Sequence, residues 1–248
     1  MSLRTWFAAV GCASALAAIA AAWPALALLV KPIVIEMTTA GAGANATVEV
    51  VNDRNTPVTV ELTVEKLNVP ERGAVETEAD AGDDFLIFPP QAIIAPGGRQ
   101  NFRVRWVGDP QIAKTKLFMF TTSELPVEIA EGTTGVQLYY AVQSVVAVSP
   151  PGAKAEVSIS QVERSQIGEE NGVLVSFANQ GAKHAFISGA QIELRSGTWR
   201  KILTDQDLSA AFGLGLVPAA GSRTMFMPVA DVPADGVITW TYTPTAPR

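Results

Sequence analysis

The chain carries one histidine, His184, and one cysteine, Cys12, so hydrolytic and metal chemistry have few groups to work with. A Ser-His-Asp relay needs an imidazole that takes the nucleophile's proton and a carboxylate that orients the ring. Only His184 can supply that imidazole, and no nucleophile elbow precedes it. It follows the turn Asn179-Gln180-Gly181, at the head of an alternating run, and reads as a turn or surface histidine. Zinc needs three or four nitrogen or sulfur donors, which one His and one Cys do not provide. Gly41-Ala42-Gly43-Ala44-Asn45-Ala46 matches a loose dinucleotide fingerprint. That motif holds a pyrophosphate only where it opens a helix, and here T-V-E-V-V follows, so the glycines read as a turn. Residues 71–84 collect Glu71, Glu76, Glu78, Asp80, Asp83 and Asp84. Their spacing fits no calcium loop with alternating oxygen ligands, and a solvated, mobile loop is expected. The reading is of no enzyme, no catalytic residue, no metal and no cofactor.

The surrounding chain is built for burial and for export. Of 248 residues, 48% are hydrophobic and 17% charged, enough for a real core and too apolar for a disordered tail. The formal net charge is −6 without any Lys/Arg run, which argues against a nucleic-acid partner. Arg4 precedes an apolar stretch over 7–23. Pro24 then leads into Ala25-Leu26-Ala27, a small-x-small cleavage pattern. Residues 1–27 therefore read as a secretory signal peptide, with an uncleaved anchor as the alternative. No second apolar run of spanning length follows, so the mature chain is not expected to insert in a membrane. Cys12 lies inside the signal. An exported chain without other cysteines fits a periplasm of the Gram-negative type better than a small disulfide scaffold.

Period-two alternation dominates what remains. Residues 47–51 (T-V-E-V-V) and 58–64 (V-T-V-E-L-T-V) flank the turn cluster Asn52-Asp53-Arg54-Asn55 and are expected to form a hairpin. Residues 102–106 (F-R-V-R-W) alternate, 117–120 (L-F-M-F) read as a strand buried on both faces, and 136–148 form the longest strand candidate. Pro150-Pro151-Gly152 then interrupts the pattern, as expected of a linker. Beyond it, 154–160, 173–177, 185–194, 223–229 and 237–242 read as strands, and 205–212 is compatible with a short helix. Many short strands at this spacing predict an all-β chain of two β-sandwiches, 28–149 and 150–248.

The strand from Val136 is the informative one. Val136, Leu138, Tyr140 and Val142 share one face. Such a face is ordinary core in a closed sandwich. On an edge strand it offers apolar side chains to an incoming strand, which is β-augmentation. Long apolar edges aggregate and are normally avoided, so this one needs a cover or a client.

An ordered series of segments resembles the PapD-like periplasmic pilus chaperones. It comprises Val30-Lys31-Pro32 with 33–37, Phe88-Pro89-Pro90, Ile94-Ala95-Pro96-Gly97, and Phe102-Arg103-Val104. Next come Leu117-Phe118-Met119-Phe120 before Glu124-Leu125-Pro126, and the Val136 strand ending at Ser149-Pro150-Pro151. Asn179-Gln180-Gly181 with His184, and 216–223, complete it. The resemblance implies two immunoglobulin-like domains in a boomerang arrangement, with no ATP or other cofactor. It implies that Val136, Leu138, Tyr140 and Val142 fill the open groove of a pilus or fimbrial subunit, until an outer-membrane usher takes the subunit over. It also implies a cis bond at Phe88-Pro89 or Pro89-Pro90, and an interdomain network that includes Arg103 and Asp231, with Thr115 and Ser149 at the network's other positions. One departure stands out: the basic pair that grips the subunit's terminal carboxylate is replaced by Val34 and Val145. Two other readings compete: an envelope structural or adhesive module, suggested by that loss, and an exported hydrolase, which lacks a visible site.

Overall fold

The computed structural model describes residues 28–126 and 138–244; the signal segment 1–27 and Val136 lie outside them. Ten strands come first: β1 (Leu28–Lys31), β2 (Val34–Thr38), β3 (Asn45–Asn52), β4 (Val58–Asn68), β5 (Glu76–Asp80), β6 (Phe85–Phe88), β7 (Gln91–Ile94), β8 (Arg99–Trp106), β9 (Lys116–Glu124) and β10 (Ala141–Ser149). They form two sheets, one in the order β1-β3-β8-β6, the other β2-β10-β9-β4-β5 with β7 also on β4. Alternation sets which side chains meet between the sheets. Val48, Val50, Phe102 and Val104 project from the first sheet, and Val60, Val64, Phe118, Phe120, Val146 and Val148 from the second, all buried. At the centre, Phe85 stands edge-on to Trp106, Phe118 and Phe120, with ring centroids 5.2, 4.9 and 5.0 Å away, the arrangement aromatic quadrupoles favour.

A second core, centred on Val173, Val175, Phe177, Ile192, Leu194, Leu208 and Met227, lies beyond the linker. Its strands are β11 (Val157–Ile167), β12 (Glu170–Asn179), β13 (Ala185–Phe186), β14 (Gln191–Ser196), β15 (Trp199–Leu203), β16 (Leu216–Val217), β17 (Gly221–Pro228) and β18 (Thr239–Thr243), with helix α1 (Asp205–Phe212) after β15. They assemble as β11-β12-β17, β13-β16 and β15-β14-β18. The helix starts where Thr204 donates from its N–H and its Oγ1 to the Asp207 carboxylate, 2.8 Å each, tying the first turn to the residue before it. The described residues are thus all-β apart from one short α-helix and two 3₁₀ turns, in two β-sandwiches with separate cores.

Several local expectations fail for identifiable reasons. Residues 47–51 and 58–64 do not pair: β3 lies between β1 and β8, while β4 pairs with β9, β5 and β7. The turn between them crosses from one sheet to the other because the fully buried Asn52 side chain holds it there. Its Nδ2 donates to the carbonyls of Thr56, Ile94 and Ala95. The segment of Val30-Lys31-Pro32 with 33–37, which the resemblance gives as the first strand, is two strands in different sheets, since Pro32 has no N–H for the ladder. Residues 185–194 are likewise broken, with a turn at Ser188-Gly189 where Gly189 has φ 94°. Half of the acidic stretch is not a loop: β5 adds to the edge of β4, although every residue in it is exposed. Of residues 117–120 only Phe118 and Phe120 are buried, with Leu117 and Met119 half-buried, and Thr122 continues the buried row, so one face of that strand is core. The Phe88-Pro89 bond is cis, and so is Lys31-Pro32.

Candidate functional site

Strand β10 lies between β2 and β9, but its two neighbours cover different lengths of it. On one side β9 runs antiparallel to it along nearly its whole length, from Ser123 opposite Ala141 to Lys116 opposite Val148. On the other side β2 runs parallel and covers only Val145 to Ser149, which lie opposite Val34 to Thr38. Among the described residues, 141–144 therefore have a free edge. In an antiparallel ladder alternate residues bond to a given neighbour. The Tyr140 carbonyl accepts from Glu124 N–H at 2.9 Å, and Val145 N–H donates to the Ile33 carbonyl at 2.8 Å. Even-numbered residues thus bond to β9, and the backbone groups of Ala141 and Gln143 face the open side.

The sequence-predicted face divides along the strand. Val142 is half-buried and packs on the first core, while Tyr140 is 42% and Leu138 69% exposed. Leu138 and Tyr140 precede the strand rather than belonging to it. Val136 lies outside the described residues. Ser144, Val146 and Val148 continue the same face inward and are buried, so the row that is core at one end is open at the other. At the root of the hairpin the Arg54 guanidinium grips Glu124 in a bidentate pair of 2.6 and 2.9 Å. It also lies 4.9 Å from the centre of the Tyr140 ring. Nothing in the local sequence marks this trio, whose members come from the β3–β4 turn, the end of β9 and the approach to β10.

Where β2 meets β10, Val34 and Val145 lie directly opposite each other, both half-buried. Two residues further along β2, Glu36 reaches the second sandwich. Its Oε1 is 2.8 Å from His184 Nε2 and its Oε2 is 3.1 Å from Lys183 Nζ. A carboxylate only accepts, so Nε2 carries the proton. His184 is not the surface histidine the sequence suggests. It is 2% exposed, edge-on to Phe186, with Nδ1 buried and unpartnered among the described residues. Burial pushes the Glu36 carboxyl up, but the His184 hydrogen bond, the histidine's charge and the Lys183 ammonium together hold it below the usual carboxylate range.

The loop that presents Lys183 and His184 is shaped by Asn179. Its Nδ2 donates to the Lys183 and Pro218 carbonyls, and its Oδ1 accepts from the Gly181 and Glu156 N–H groups. Gly181 must be glycine, because a Cβ there would lie 2.2 Å from the Lys154 carbonyl oxygen. Thr115 N–H donates to the Ala182 carbonyl at 2.9 Å, the Thr115 and Ser149 hydroxyls meet at 2.8 Å, and His184 N–H donates to Thr115 Oγ1. A second contact forms where Arg223 donates to the carbonyls of Pro70 and Gly73, and Thr224 N–H to that of Glu71.

Arg103 and Asp231 are not brought together. Arg103 is on the exposed face of β8, because Phe102 and Val104 beside it face the core. Asp231 accepts from Trp199 Nε1 and Lys201 Nζ inside the second sandwich. Thr115 and Ser149, at the network's other positions, do lie at the contact, which uses hydroxyl and backbone hydrogen bonds plus Glu36. Among the described residues no group of three His, Cys, Asp or Glu side chains could hold a metal.

Residues 31–154, half of the chain, match the family model described as the PapD N-terminal domain of pili and flagellar-assembly chaperones. The chain belongs to that family. No curated protein matches the sequence. Solved structures of similar fold include the Escherichia coli chaperone DraB, 18% identical, with a TM-score of 0.53 over 87% of this chain and 90% of that one. The class 5 fimbriae chaperone CfaA is 12% identical, with a TM-score of 0.54 over 90% and 100%. A Salmonella enterica structure of the SafA pilin in complex with the SafB chaperone gives 17% identity and a TM-score of 0.50 over 82% and 85%. This PapD-family member shares with them a fold. Its β2–β10 junction sets Val34 against Val145, the positions that the resemblance gives to a basic pair.

Proposed function

We propose that this protein is a periplasmic chaperone that binds pilus or fimbrial subunits by lending them the open edge of β10. The observation that carries the reading is that edge: backbone groups of Ala141 and Gln143 that no described strand pairs on one side, beside exposed Leu138 and Tyr140. A subunit lacking one strand exposes its own core, and an added strand supplies ladder hydrogen bonds with alternate side chains to fill the groove. Burying each Leu- or Val-sized side chain contributes about 1.5–3 kcal/mol. Val136, Leu138, Tyr140 and Val142 are the residues assigned to the groove, and no cofactor or nucleotide is needed. Export by residues 1–27, division at 28–149 and 150–248, and later transfer to an outer-membrane usher complete the proposal.

The test is to tag the C-terminus, isolate the protein from its native periplasm, and compare wild type with Leu138→Asp plus Tyr140→Asp. A small subunit-like partner present with wild type and lost with the folded double variant supports strand donation. An unchanged partner set would sink it. The apolar Val34–Val145 pair supports the second reading, an envelope structural or adhesive module, and that result would favour it.

A further inference from the structure

We propose that Arg54 is a positioning residue for the donated edge, acting through Tyr140; this rests on the strand-donation reading. Three side chains from separate parts of the chain converge there. Arg54 leaves a turn whose backbone is pinned, since its own N–H donates to Asn52 Oδ1 at 3.0 Å and Asn52 is fully buried. Its guanidinium meets both oxygens of Glu124, with side chains only 17% and 11% exposed. A planar fork on a carboxylate has one good orientation, so the guanidinium plane is set before any client arrives. The guanidinium carbon lies over the Tyr140 ring, 4.9 Å from its centre, and the Tyr140 backbone is tied to the same glutamate, its carbonyl accepting from Glu124 N–H and its N–H directed at Glu124 Oε2, 3.4 Å away.

Tyr140 is therefore held by backbone and ring together at the point where paired strand gives way to the exposed approach. Without the stack, a 42% exposed ring would sample several rotamers and lose that freedom only on binding, which weakens association. With it, the first groove-filling side chain outside the ladder is already oriented and the strand leaves the sandwich in a defined register. Arg54 does this without touching the client.

The test uses the full chain. Arg54→Lys keeps a cation beside Glu124 but not the fork or the flat face that stacks. The chain has three tyrosines, so 3-fluorotyrosine gives three fluorine signals, with that of Tyr140 assigned by its loss in Tyr140→Leu. Arg54→Lys is expected to move the Tyr140 signal and leave that of Tyr242 in place. The small proteins that co-purify with tagged full chain should fall about 2- to 5-fold, the scale of an exposed cation–π contact. In a Tyr140→Leu background the same substitution should leave the yield unchanged. An unmoved Tyr140 signal overturns the proposal, as does an equal loss of partner in both backgrounds, or no loss in either. If Leu138→Asp plus Tyr140→Asp abolishes capture while Arg54→Lys does not lower it, only Arg54's role falls. If that double variant still captures partners, strand donation falls and this inference with it.

Discussion

Replacing Glu36 in two ways separates its charge from its hydrogen bond. Glu36→Gln keeps an oxygen where His184 Nε2–H can donate and discards the charge facing Lys183. Both members of the Glu36–Lys183 pair are about two-fifths exposed, so solvent screens it and its loss costs at most about 1 kcal/mol. Glu36→Ala removes the acceptor as well. His184 is 2% exposed and its Nδ1 is already unpartnered among the described residues, so the variant strands a buried N–H, at about 1–3 kcal/mol more than the glutamine change. Urea unfolding of the full chain reads the difference, with Trp106 reporting on the first sandwich and Trp199 and Trp240 on the second. The alanine variant is expected to separate the two transitions, the glutamine variant to keep them together. Equal costs for the two variants would refute the claim that Glu36 satisfies the histidine. Acid gives an independent check. The folded carboxyl lies below its ordinary 4.5, so its contribution is fully present above about pH 4.5 and disappears as pH falls through the lowered folded value. The gap between wild type and Glu36→Gln must close over that interval, and the lone imidazole can be followed by NMR alongside.

Phe85→Ala removes the ring on which Trp106, Phe118 and Phe120 converge and should cost about 3–5 kcal/mol in thermal or urea unfolding. Asn179→Ala leaves the Lys183 and Pro218 carbonyls without their donor, at about 1–3 kcal/mol for each group that stays buried. Amide exchange should quicken in the loop before His184. Arg223→Ala deletes the two bonds to Pro70 and Gly73. Proteolysis at 70–73 should accelerate while the second sandwich, measured by Trp240 fluorescence, keeps its midpoint within about 1 kcal/mol, since only hydrogen bonds at the contact are lost.

What could be read from the sequence follows from how local its cause is. The alternation of Phe102, Val104 and Trp106 announces a one-faced strand because neighbouring residues alone decide it. Val34 and Val145 were placeable by resemblance, and they do lie opposite each other. Strand β15 went unseen because its W-R-K-I-L run puts two cations in the middle of the pattern. The hairpin expected around Asn52 fails because a side chain, rather than a turn type, determines the path there. His184 looked exposed because its partner Glu36 is 148 residues away. Arg54 gave no signal because Glu124 is 70 residues away. Arg103 and Asp231 were transferred from a family pattern, and the parity of β8 turns Arg103 outward.

Two other edges of this protein are guarded: β5 is lined with acids, and the free side of β17 receives the Glu71 carbonyl. The outer half of β10 is left open among the described residues, beside the exposed Leu138 and Tyr140, so at high concentration another molecule of the same chain competes to occupy it. Mutual repulsion opposes such pairing: the full sequence carries −6, and residues 28–248, without Arg4, hold 17 basic and 24 acidic residues, a net −7. Its reach shrinks from roughly 30 Å at 0.01 M salt to about 8 Å at 0.15 M. Ionic strength thus sets how crowded a store of unloaded molecules can become before they begin to pair with one another.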